Sequence, residues 1–100
     1  MAELRQSEPI ATYHSERPPQ EVTECILFAW QGQKFGGQQW DAFMQPFQGG
    51  HTVFTPGQLE VADVVNSGHG SEVKFYAQGG MMQWRINKRT DAISICANDK

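Results

Sequence analysis

The chain has 100 residues, 39% of them hydrophobic, and a formal net charge of −3. That is the size of one domain, too apolar for the disordered class. The acidic balance excludes sequence-independent binding of DNA or RNA, which needs surplus Lys and Arg, and no run approaches the ~20 apolar residues of a membrane span.

Residues 1–17 show no sustained periodicity and read as an extended or flexible arm, packing through Ile10 and Tyr13. Residues 1–9 are polar and lack the apolar centre of a signal peptide. Residues 18–100 read as a single α+β domain. Pro18-Pro19 suits a helix start, with Ser15 or the Pro18 region as cap. Gln20, Glu21 and Glu24 suit the positive end of the helix dipole. Val22, Cys25, Ile26 and Ala29 fall at i, i+3, i+4 and i+7, which predicts a helix over 19–31 ended by Gly32. Leu27, Phe28 and Trp30 widen its apolar arc.

Residues 32–41 are a Gly/Gln-rich loop carrying Phe35 and Trp40. Strands are expected at 43–47, 51–55, 59–65 and 71–77, separated by Gly, Pro and Asn turn signals, with Pro46 marking an edge. Connections this short imply an antiparallel meander of three to four strands. Residues 81–97 fit either a helix, through Met82, Ile86, Ile93 and Cys96/Ala97 with a polar break at Arg89, or a hairpin turning at 88–91. The helix is the favoured reading. Together these elements predict an N-terminal helix, an antiparallel sheet, and a C-terminal helix packed on the same sheet face.

Charge is uneven. Glu3, Glu8, Glu16, Glu21 and Glu24 crowd the first quarter against Arg5 and Arg17, whereas Arg85, Lys88, Arg89 and Lys100 face Asp91 and Asp99 at the end. Opposite-signed ends ordinarily solvate a surface. The sharper reading is a basic docking patch of Trp84, Arg85, Lys88 and Arg89. Phe35, Trp40 and Phe47 either seal the core or form a contact patch of the kind that aromatic side chains dominate.

Cys25 and Cys96 are not a CxxC pair, which argues against a thioredoxin-like centre. Two readings stay open: two buried free thiols, or a disulfide between the first and last helices. The disulfide is favoured because closing so long a loop stabilises a small domain by roughly 4 kcal/mol. His14, His51 and His69 are scattered over arm, strand and loop, and so predict no metal site. Glu60 and Asp63, three apart on a strand, face opposite sides, with Asp63 an outward-facing charge. No glycine pair has a phosphate-binding context. No cofactor and no catalytic residue are expected.

The run from Ser15 through Pro19, Val22, Cys25 and Ile26, followed by Trp30, resembles the opening helix of small uncharacterised bacterial and prophage-encoded lipoproteins. Residues 68–75 and the closing segment bearing Cys96 are similar too, so the resemblance covers about residues 15–97. It implies a periplasmic or outer-membrane-associated module with a Cys25–Cys96 bridge and no known activity. The chain departs from that pattern in showing no lipidation cysteine or signal segment at its start, so a lipid tether would belong to a removed segment. The expected function is a non-enzymatic binding or accessory domain of the cell envelope, of phage or mobile-element origin, acting on an unidentified protein partner as a monomer or small homo-oligomer. The alternatives are a cytoplasmic mobile-element protein that inhibits a host or viral enzyme, and a small Cys/His hydrolase.

Overall fold

The computed structural model of the chain describes residues 2–35, 38–39 and 41–98. In chain order its elements are α1 (Ala2–Arg5), β1 (Ala11–Ser15), α2 (Pro19–Gln31), β2 (Lys34–Phe35), β3 (Gln38–Gln39), β4 (Phe43–Phe47), β5 (Gly50–Phe54), a 3-10 turn (Pro56–Gln58), β6 (Glu60–Ser67), β7 (Gly70–Ala77) and α3 (Gln83–Asn98). A five-stranded antiparallel sheet runs in the order β1-β7-β6-β5-β4, and β2 and β3 form a separate two-stranded ribbon. Both long helices lie on one face. α2 packs over β5 and β6, and α3 over β1 and β7. This is the predicted α+β arrangement with residues 83–98 helical, so the hairpin reading of that segment is excluded.

The arm contributes the fifth strand. Residues 11–15 pair with residues 71–75 of β7, and the Ile10 amide donates to the Phe75 carbonyl. Tyr13 packs against the core and α3, whereas Ile10 stays half exposed. Burial holds the Tyr13 phenol above its ordinary pKa, against the opposing pull of its hydrogen bond with Thr90. β1 therefore supplies part of the floor under α3. At Gly70 an added Cβ would meet the Ser15 carbonyl at 1.9 Å, so a missing side chain lets β1 and β7 approach.

Helix α2 starts and ends where its sequence predicts, with the cap at Pro18 and not at Ser15. Pro18 stands at the N-cap with extended backbone and no side-chain cap bond. The Ser15 hydroxyl instead accepts from the Arg17 amide. Val22, Thr23, Ile26 and Trp30 face the sheet, while Cys25 and Ala29 are half-buried on its flank. Phe28 does not join the apolar arc and is 65% exposed. Two residues beyond Ile26, it lies about 200° around the helix from it.

The core between helices and sheet is built from Val22, Ile26, Trp30, Val53, Ala62, Val64, Val73, Phe75 and Ile93, with Trp30 meeting Phe75 edge-on at 6.0 Å. The β4–β5 turn has positive φ at Gln48 (34°) and Gly49 (81°), the twist favoured in a two-residue hairpin. That turn puts Phe47 and Gly50 in a hydrogen-bonded pair. Pro46, opposite His51, then falls on a non-bonded site with its ring nitrogen turned to the free edge. The edge is further closed because the Ala42 carbonyl accepts from the Gln31 side chain at 3.0 Å. A strand adding to β4 would find few free groups.

Candidate functional site

The basic segment of α3 divides between surface and interior. Trp84 is 48% exposed and Lys88 is exposed, but Arg85 and Arg89 turn inward. Arg89 is fully buried and so cannot belong to a docking patch. It stands in the inner helical stripe with Ile86, Ile93 and Cys96, at the position the sequence suggested was a polar break. The fully buried Glu60 at the start of β6 balances it. Arg85 Nε lies 2.6 Å from Glu60 Oε2 and Arg85 Nη2 lies 3.0 Å from Oε1, with Arg89 Nε 3.3 Å from the same Oε1. Thr55 Oγ1 also donates to that oxygen at 3.0 Å.

Arg89 Nη1 donates to the Trp30 carbonyl, and Trp30 Nε1 donates back to the Arg89 carbonyl, each at 3.3 Å. A cation thereby meets the negative end of the α2 dipole. Burial pulls the Arg89 pKa below its ordinary value, and Glu60 partly offsets this. The cluster is a joint between α3, β6 and the end of α2.

Cys25 and Cys96 are bonded to each other, with Cα atoms 5.7 Å apart, and tie α2 to α3. Among the described residues there is no free cysteine. Cys25 is half-buried and Cys96 is 1% exposed, and both border an open groove of about 450 Å³ between the helices, edged by Ala29, Lys88, Ala92 and Ile95. Arg17 Nη1 reaches the Cys96 carbonyl at 3.4 Å, fastening the β1–α2 connection to the last turn of α3.

The opposite, helix-free face of the sheet carries the second charge cluster. Strand parity places Glu60 on the helix side and Asp63 here, as the sequence predicts. Asp63 is not a plain solvated charge, however, being only 4% exposed. Arg5 reaches it from the N-terminal segment with both ends of its fork, Nε–Oδ2 2.7 Å and Nη2–Oδ1 2.8 Å. The Arg5 guanidinium also lies over the Phe47 ring, 4.0 Å from its centroid. Hydrogen bonding to Asp63 raises the Arg5 pKa further. Beside this pair is an open groove of about 460 Å³, bordered by Arg5, Phe47, Asp63, Glu72, Lys74 and Tyr76. Of the aromatics expected at a contact patch, Phe47 is in this site. The Phe35 side chain and Trp40 lie outside the described residues.

The sequence reading missed Arg5 and the burial of Asp63. A single arginine in an aperiodic polar arm gives no local signal, and its partner is 58 residues away. Elsewhere on the surface, Trp84 Nε1 donates to the exposed Met82 sulfur at 3.1 Å, forming an aromatic–thioether cluster at the start of α3. His14 lies 3.9 Å from Glu72, His51 is half-buried on the helix side of β5, and His69 is exposed in the β6–β7 turn. Among the described residues no group of His, Cys, Asp and Glu could hold a metal ion, and no helix is long and apolar enough to cross a membrane. No protein-family model, curated protein or solved structure matches the chain.

Proposed function

We propose that this chain is a small non-enzymatic binding domain of the cell envelope, periplasmic or outer-membrane-associated, that acts by protein–protein contact. The observation that carries the reading is the Cys25–Cys96 bridge, since disulfides persist in oxidising compartments. It also takes both sulfurs out of use as thiolate nucleophiles, so a Cys/His hydrolase would first need reduction. Two surfaces support the contact role: the Met82–Trp84 cluster on the helix side, and the groove with Phe47, Arg5 and Asp63 on the other. Aromatic and arginine side chains of this kind supply most of the energy at protein interfaces.

A photo-crosslinking residue placed at position 84 or at position 48, on the groove rim, should capture a discrete envelope protein in the parent cell. The same residue at position 20, on the outside of α2, should not. Equal, diffuse labelling from all three positions would contradict the reading.

A further inference from the structure

We infer that Asp63 and Phe47 form a recognition site for an arginine side chain of a partner polypeptide, a site that Arg5 fills in cis; this names the partner chemistry of the binding function above and rests on it. The site has the parts that distinguish a guanidinium from other cations. A carboxylate presents both oxygens to the fork, and the guanidinium carbon lies over an aromatic ring, 4.0 Å from its centroid. A bidentate guanidinium–carboxylate pair is a geometry that lysine cannot reproduce. Asp63 sits at the middle of β6, the central strand, where a carboxylate held away from water needs a cation.

The residue now supplying that cation arrives on a light attachment. α1 is one turn long, Leu4 is only half-buried, and Ile10 is half exposed. The groove beside the guanidinium stays open, with Glu72, Lys74 and Tyr76 along it and space for residues flanking an incoming arginine. Glu72 on the same groove already faces Lys74 at 3.7 Å and His14 at 3.9 Å, which leaves Asp63 as the carboxylate that takes the guanidinium. Arg5 then acts as a tethered competitor, present at an effective concentration in the millimolar range. A partner arginine must displace it, and the N-terminal segment swings away while the helix-side core stays packed.

The test uses the full chain, its Arg5→Ala variant, and blocked tripeptides Ala-Arg-Ala and Ala-Lys-Ala, with amide shifts of β6 as the readout. Removing the competitor should strengthen binding of the arginine peptide by about 10-fold or more. The lysine peptide should bind Arg5→Ala about 10-fold more weakly than the arginine peptide does. Arginine peptide should also raise the melting temperature of Arg5→Ala, and adding Asp63→Asn should abolish both responses. Should Arg5→Ala fail to fold, Arg5→Lys serves in its place, since it keeps the charge and loses the fork. Identical behaviour with and without the Asp63 change would overturn the site, as would equal affinity for the two peptides. A wild-type dimer in which Arg5 of one copy pairs with Asp63 of the other would overturn it too. If the peptide responses are absent while cross-links form at positions 48 or 84, this site fails and the binding function stands. If both are absent, both fail.

Discussion

Glu60→Ala should destabilise the domain by about 3–5 kcal/mol, read as a fall in the urea midpoint without a change of slope. Glu60 is fully buried, and both Arg85 and Arg89 reach its carboxylate. Its removal takes away the carboxylate that both guanidinium groups reach, one of them on the fully buried Arg89. Breaking a buried ionic cluster from one side is costly for that reason, whatever the intact cluster contributes. Glu60→Gln keeps the volume and an acceptor oxygen for the Arg85 fork, so its loss should be smaller. Replacing Glu60, Arg85 and Arg89 together by Leu, Leu and Met should recover much of the stability, because no charge is then left in the joint. A single Glu60→Ala loss below about 1 kcal/mol would contradict this reading of the joint, because that is the size of an exposed pair.

Cys25→Ala/Cys96→Ala should cost about 4 kcal/mol, because the bridge closes a loop spanning 71 positions and so restricts the unfolded chain. For a domain whose total stability is about 5–15 kcal/mol, that is a large share. Reduction should have the same effect, since Cys25 is half-buried beside the groove between the helices and accessible to a small thiol. The structure also locates the consequence. The bridge ties α2 to α3, so α3 should loosen first, with amide exchange rising in its last two turns before β6 and β7 are affected. A double variant with unchanged melting temperature would show that packing alone holds the two helices together.

Most of the architecture is legible in local pattern. Helix α2 follows from Pro19 at its first turn and apolar residues at helical spacing, and the strands follow from alternation between Gly-containing turns. β1 is not legible, because residues 11–15 alternate too briefly to stand out, and their pairing with β7 crosses 60 residues of chain. α3 is legible as a helix, but its inner face is not. An arginine within an apolar stripe signals surface until an acid is found to answer it, and Glu60 stands in a different element. Arg85 and Arg89 share one face at i, i+4, and Glu60 has the strand parity of the apolar Ala62 and Val64. That pairing is the signal that could have been read. The Arg5–Asp63 site has no comparable trace, because it depends on where an irregular arm crosses the sheet.

The disulfide supports both the fold and the compartment, so the thiol state of the protein in its own cell is the most direct test. Cells are lysed into acid, the protein is denatured and alkylated without reductant, and the intact mass is measured. The expected result is no alkyl groups added and a mass two hydrogens below that of the reduced chain, with Cys25 and Cys96 recovered in one cross-linked fragment. Two alkyl groups on the native protein would contradict it, removing the envelope assignment and leaving the helices held by packing alone.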